Sequence, residues 1–366
     1  MARATSAGTE RYKNRWKDSI PEAHFRAVQN LFISSIGVGT YLGEMNDETD
    51  HRYITSIQTA IELGCNIVDT AINYRFQRSE RNVGVAVKQL IDENRLSRDE
   101  VVVSTKGGFL SFDSAYPANP SKYIQDEYIT TGVCKADEIV AGCHCMSPSY
   151  LENQLDRSLK NLQLDCIDIY FIHNPETQLS EVSRQEFLKR MMAAFKLLER
   201  KVEEGKIQTY GTATWNGYRD HEGGQSYLSL EELIGLARNA GGENHHFRAI
   251  QLPLNLAMPE AFLNKNQKFG SRSVSLLEAA HHHGMIVLSS ASILQGQLAR
   301  NLPGFVSRFF ENLQTDAQRS IQFPRSTIGV TTALVGMSSP AHVRENMEVA
   351  KTLPVPWEKM KDLFTA

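Results

Sequence analysis

Short apolar runs alternate with longer amphipathic stretches from Asn30 onward. Asn66–Ala71 (NIVDTA) reads as a strand, and Ser79–Glu93 as a helix with Val83, Val87 and Leu90 at helical spacing. Val101–Lys106 (VVVSTK) is β-branched and apolar, which predicts a buried strand. Ser149–Leu162 follows as a helix with Leu151, Leu155, Leu159 and Leu162 along one face; Ser149 is its expected N-cap, with Glu152 three residues on. Cys166–His173 (CIDIYFIH) is the next strand. A long helix over about Ser183–Glu204 then ends at Gly205, a residue suited to a left-handed cap.

The alternation continues through strand Ile207–Ala213, a helix from Ser229 that stops near Gly241–Gly242, and strand Ala249–Leu254. Helix Ser275–His283 ends at Gly284, strand Met285–Ser290 follows, and strand Ala333–Gly336 with helix Pro340–Leu353 closes the series. With an opening strand inside Phe32–Gly39, the count reaches eight strand-helix units. Strands that alternate with helices imply a parallel sheet, and eight of them favour closure. The predicted fold is therefore α/β, a (β/α)8 TIM barrel with long C-terminal-face loops, in preference to an open doubly wound sheet.

In this division residues 1–29 are an N-terminal extension on the surface, and residues 30–366 form one barrel domain. Two insertions break the rhythm, about 107–148 and 299–327. The first is rich in Ser, Pro, Tyr and Asp, and the second carries Pro303, Gly304 and Pro324. Both leave from C-terminal strand ends, the face where barrel enzymes build their sites, and loops of this length go with function or disorder. They are expected to cover the site.

Composition narrows the partners. The formal net charge of −3 gives no electrostatic case for nucleic acid or an anionic membrane. No apolar run approaches the roughly 20 residues of a spanning helix. The first residues are basic and polar, without the apolar core of a secretion signal, so a cytoplasmic location is expected. Five cysteines argue against a disulfide framework. Cys134, Cys143 and Cys145, with His144 between the last two, are too incomplete a ligand pattern for zinc and read as thiols in an inserted loop, so no metal is expected. No distinctive apolar stripe marks a subunit interface.

Four polar residues close, or closely follow, otherwise apolar strands: Asp69 ends NIVD, Tyr74 lies five residues later, Lys106 ends VVVSTK and His173 ends CIDIYFIH. In a parallel barrel these ends converge on one mouth. A free tyrosine has a pKa near 10 and is a poor proton source at neutral pH, but a neighbouring lysine lowers that value. An aspartate would fix the lysine, and a histidine would orient a substrate oxygen. Such a set suits a general acid that protonates a developing alkoxide.

These motifs resemble the aldo-keto reductase family: DTAINY and SERNVG (Asp69–Tyr74, Ser79–Gly84), STK, IDIYFIHNPE, GKIQTYGTATW, AIQLPLN and VGMSSPAHVREN occur in the family's order, from about Phe32 to Leu353. The resemblance implies Tyr74 as general acid, Lys106 and Asp69 as its tuning pair, and His173 as the residue that orients a small-molecule carbonyl substrate. It implies NADPH as cofactor, with NADH not excluded, held by Gly39, Thr40, Asn174, Thr214, Gln251, Ser290, Gly336, Ser338, His342, Arg344 and Asn346. Several positions depart from the pattern. Ala213–Thr214 stands where the family commonly has Ser-Asn, Ser290 where it stacks an aromatic ring, and Gly336 and His342 where it often has Lys and Arg. Arg344 keeps a two-pronged phosphate grip available. GVGTYLG (Gly37–Gly43) reads as tight packing in the first strand rather than a dinucleotide fingerprint.

The expected activity is reversible reduction of an aldehyde or ketone to an alcohol by an NAD(P)H-dependent oxidoreductase. Two alternatives compete: a cofactor-binding regulatory subunit resembling potassium-channel β subunits, with residues 1–29 as a docking tail, and a sugar-phosphate enzyme without redox chemistry. The loops SSASILQGQL and VGMSSPAH are only weakly glycine-rich, which ranks the last one lowest. Tyr116, Tyr123, Tyr128, Trp215 and Phe305 are candidate pocket walls.

Overall fold

The computed structural model describes residues 2–310, 312–360 and 363. Eight parallel strands close into a barrel. They are β1 (Ile36–Gly39), β2 (Ile67–Asp69), β3 (Val102–Gly107), β4 (Ile167–His173), β5 (Ile207–Ala213), β6 (Phe247–Pro253), β7 (Ile286–Ser290) and β8 (Thr332–Gly336). The main helices between and after them are α1 (Asp47–Ile61), α2 (Arg78–Asp92), α3 (Pro148–Leu162), α4 (Arg184–Glu203), α5 (Leu230–Gly241), α6 (Leu276–His282), α7 (Asp316–Ser326) and α8 (Pro340–Met347), with shorter helical turns in the loops. The ring closes where β8 pairs β1, with Gly336 opposite Gly39.

Strand side chains alternate between two cores, as the pleat requires. Ile67, Val102, Ile169, Phe171, Ala249, Ile286 and Leu288 fill the barrel, while Val68, Val103, Tyr170, Ile172 and Ile250 pack outward with the helices. Gly37 belongs to the inner layer: a Cβ there would meet Ile67 and Thr332 at 2.8 Å, so the glycine serves packing. Gly211 is required by a closer approach still, since a Cβ would stand 1.9 Å from the Ala249 carbonyl at the irregularity between β5 and β6.

Three expectations need correction. First, the surface extension expected over residues 1–29 is, in the described residues 2–29, folded against the barrel. Helix Ser6–Asn14 and a hairpin of Phe25–Val28 with Leu31–Ser34 pack on the barrel's N-terminal end, where Ala4 donates its N–H to Asp168 Oδ1 at 2.7 Å and the buried Tyr12 hydroxyl donates to the Cys65 carbonyl at 3.0 Å. The opening apolar run is accordingly two elements, a hairpin strand and β1. Second, the 299–327 segment is not all insertion, because it contains α7, capped by Thr315 and Gln318 and carrying Pro324 in its last turns. Third, α3 is capped at Ser147, with Pro148 in the first turn, where its missing N–H costs nothing. No helix of the described residues is long and apolar enough to cross a membrane.

Candidate active site

Period-two alternation brings the last inward position of each strand to one mouth. Gly39, Asp69, His173, Ala213, Gln251, Ser290 and Gly336 all line a cavity of about 870 Å³ there, and Tyr74 lies at its side. Asp69 is the hub. Its Oδ2 accepts from Lys106 Nζ at 2.6 Å, and its Oδ1 accepts from Ser104 Oγ at 2.7 Å and Gln251 Nε2 at 2.9 Å. Lys106 also donates to the Thr70 carbonyl at 2.7 Å and is wholly buried. Its ammonium stands over the Tyr74 ring, 4.8 Å from the centroid, a cation–π distance.

The electrostatics differ from the expectation in one respect. Burial pushes Tyr74 well above its ordinary value, and the Asp69 and Tyr41 groups add to the rise. Lys106 does not reverse this, because it spends its charge on Asp69 and faces the ring rather than leaving an unpaired cation at the hydroxyl. Tyr74 is therefore a protonated donor at neutral pH. Burial likewise depresses Lys106, opposed by Asp69. His173 lies well below the usual imidazole range through burial, Lys106 and His144, so it is neutral.

A second network holds His173 from behind. His144 Nε2 contacts the His173 carbonyl at 2.7 Å, Gln178 Nε2 contacts His144 Nδ1 at 2.9 Å, and Arg190 Nη1 donates to Gln178 Oε1 at 2.6 Å. The Gln178 amide can only donate to Nδ1, which makes Nε2 the protonated nitrogen of His144. The residue between two cysteines is thus a brace between the first insertion and β4. Burial lowers His144 to about 4, and burial with Arg325 lowers His24, under the barrel, to about 3. Unfolded imidazoles titrate near 6.5, so the unfolded chain takes up protons first as pH falls. Stability is full above pH 6.5 and declines from there toward about 4 by about 1.4 kcal/mol per pH unit for each histidine. Urea midpoints at pH 7.5 and 5.5 should show the decline, with a shallower slope in His144→Gln; equal slopes would refute it.

The structure places nine of the eleven candidate cofactor residues on the cavity: Gly39, Thr40, Asn174, Thr214, Gln251, Ser290, Gly336, His342 and Asn346. Asn174 adopts a left-handed conformation (φ 44°) that lets its N–H donate to the Ala213 carbonyl at 2.6 Å. Ser338 and Arg344 are not brought to the lining; Arg344 is exposed, and its Nη1 donates to the Pro340 carbonyl of its own helix at 3.4 Å. Of the five candidate walls only Trp215 lines the cavity. Tyr123 and Tyr128 pack inside the first insertion with Cys134 and Cys145, and Tyr116 and Phe305 are exposed. The walls near Tyr74 that sequence reasoning missed are Tyr41, Leu42 and Phe109. Only the position of Phe109, three residues past Lys106, was a usable signal.

Comparison with known proteins shows the family and the fold. The model of the Aldo/keto reductase family matches residues 35–221. The aldo-keto reductase yakc [NADP(+)] of Schizosaccharomyces pombe is 28% identical over 191 residues, 51% of this chain and 44% of that protein. The NADH-specific methylglyoxal reductase of Escherichia coli is 29% identical over 209 residues, 56% of this chain and 54% of that protein. The matches thus span about half the length of these relatives. Among solved structures, an aldo/keto reductase from Klebsiella pneumoniae in complex with NADP and acetate superposes with a TM-score of 0.62 at 19% identity, covering 93% of this chain and 94% of that one, a likeness of fold. On the family match, the chain belongs to the Aldo/keto reductase family.

Proposed function

We propose that the chain reduces an aldehyde or ketone with a reduced nicotinamide dinucleotide, NADPH in the first instance, and that Tyr74 donates the proton. The observation that carries this is the convergence of Tyr74, Asp69 and His173 on one cavity, with Lys106 buried behind it against Asp69 and the Tyr74 ring. The residues present fit a dinucleotide. A Cβ at Gly336 would meet nothing within 4 Å and one at Gly39 nothing nearer than 3.7 Å, so both strand ends leave a bare backbone cradle. The buried Asn73 Oδ1 and His173 Nδ1 have no hydrogen-bond partner among the described residues. When bound, the dinucleotide supplies the hydride.

The rest falls to this chain. The Tyr74 hydroxyl donates to the carbonyl oxygen and passes its proton as negative charge develops there. Neutral His173 orients the same oxygen, and the Asp69–Lys106 pair keeps a cation against the tyrosine ring without adding net charge. Tyr41, Leu42, Phe109 and Trp215 wall the approach, and no lysine or arginine lines the cavity among the described residues. At the Tyr74 end, between these walls, a substrate carboxylate or phosphate would lose hydration without a counter-charge. The substrate class this supports is a neutral carbonyl with an apolar body.

Arg344 is off the cavity but exposed on the helix that brings His342 and Asn346 to it, which makes it the candidate grip for a 2′-phosphate. The two relatives' names point to different forms, NADP(+) and NADH. Saturable quenching of tryptophan fluorescence by NADPH is expected, since Trp215 lies on the cavity. Arg344→Ala should weaken NADPH, but not NADH, by about fivefold, or about 1 kcal/mol. Absence of quenching by both dinucleotides, or of turnover of any neutral aldehyde followed at the nicotinamide absorbance, would overturn the proposal.

A further inference from the structure

Tyr74 is followed by three left-handed residues that are not glycine: Arg75, Phe76 and Gln77, with φ of 47°, 54° and 71°. Such a run persists only where its surroundings hold it. Gln77 is held on both sides of its amide, donating to the Phe112 carbonyl at 3.1 Å and accepting from Asn161 Nδ2 at 3.0 Å. Arg75 is held more strongly. Its buried guanidinium donates to the Glu44 carbonyl from Nε at 3.0 Å and from Nη2 at 2.6 Å, and Nη2 also donates to Asp50 Oδ1 at 2.6 Å.

The Glu44 carbonyl belongs to the loop between β1 and α1, which is pinned at alternate residues. Ser79 Oγ donates to the Thr40 carbonyl at 2.7 Å, the Tyr53 hydroxyl donates to the Leu42 carbonyl, and Arg75 takes the Glu44 carbonyl while its guanidinium lies 5.3 Å from the Tyr53 ring. Tyr41 and Leu42, within this loop, face the cavity, and the Tyr41 ring stands edge-on to that of Tyr74 with centroids 4.9 Å apart. One side chain therefore spans from the residue next to the acid to the wall opposite it.

We propose that Arg75 is a positioning residue that locks the Tyr41–Leu42 wall to the turn carrying Tyr74 and so sets the width of the substrate slot above the hydroxyl. The left-handed turn is what aims the guanidinium at the loop, away from the cavity. The kinetic consequence rests on the carbonyl-reductase reading; the mechanical one does not.

The test uses the full chain with Arg75→Met, Arg75→Lys and Asp50→Asn, read by hydrogen–deuterium exchange and by steady-state reduction of a neutral aromatic aldehyde with NADPH. In Arg75→Met the amides of residues 41–46 and 75–78 should exchange together about tenfold faster, with β4–β6 unchanged. Lysine keeps the charge but loses the two-pronged hold, so Arg75→Lys should be intermediate, as should Asp50→Asn. KM for the aldehyde should rise about fivefold or more, with NADPH affinity unchanged. If residues 41–46 keep the parent's exchange in variants that fold, the proposal is overturned; should Arg75→Met not fold, the other two variants decide. Joint loosening of both segments in a protein whose parent form turns over no carbonyl would uphold the lock and remove the reductase reading.

Discussion

Tyr74→Phe is expected to lower kcat for carbonyl reduction by about 10²–10⁴-fold while leaving NADPH affinity and thermal stability nearly unchanged. The ring remains to meet Lys106 and Tyr41, at centroid distances of 4.8 and 4.9 Å, so only the hydroxyl is lost. Neither neighbour readily replaces it as the acid: His173 is held neutral by burial, Lys106 and His144, and Lys106 is committed to Asp69 and the Thr70 carbonyl. Because burial and Asp69 hold Tyr74 well above the ordinary tyrosine value, reduction by the parent should show no loss from tyrosine ionisation below pH 10. Turnover by Tyr74→Phe within tenfold of the parent would show that the proton comes from elsewhere.

Lys106→Met should cost more in stability than any surface change. It strips the cation from a carboxylate that is itself buried, and breaking a buried pair by removing one partner typically costs about 3–5 kcal/mol. Ser104 and Gln251 still donate to Asp69, but neither brings charge. The double variant Lys106→Met/Asp69→Asn leaves no uncompensated charge and should regain most of the loss, since a buried pair replaced as a unit is often near neutral. Turnover should stay low in both. Urea unfolding of parent, single and double variants separates the cases. Equal destabilisation of single and double variants would mean that packing around the lysine stem, not its charge, is what matters.

The barrel and three of its four central side chains were legible because both depend on periodicity, whereas Tyr74, in the turn after β2, stood out only through the family resemblance. A strand buried on both faces is apolar throughout, so a polar last residue such as Asp69, Lys106 or His173 stands out, and alternation fixes which way it points. The walls were not legible. Tyr41, Leu42 and Phe109 sit in loops, where no period tells inward from outward, and the turn after Tyr74 uses left-handed conformations at Arg, Phe and Gln, residue types that announce none. Helix α7 was hidden by its polar sequence and Pro324, although Thr315 and Gln318 do spell a capping box. The packing of the N-terminal segment was not legible because its charge masked the few buried apolar side chains, Ala4, Tyr12, Ile20 and Phe25.

Ring closure bears on how much of the chain the site needs. The cavity takes Gly39 and Asp69 from the start of the chain and Gly336, His342 and Asn346 from near its end, and β1 finds its second neighbour only when β8 exists. Contacts so distant in sequence are slow to form. A chain shortened to end after β5 would still hold Tyr74, Lys106 and His173 but could not close the ring. The enclosed mouth therefore depends on the whole span from β1 to β8, and loss of β8 would leave one edge of β1 open to association with other chains.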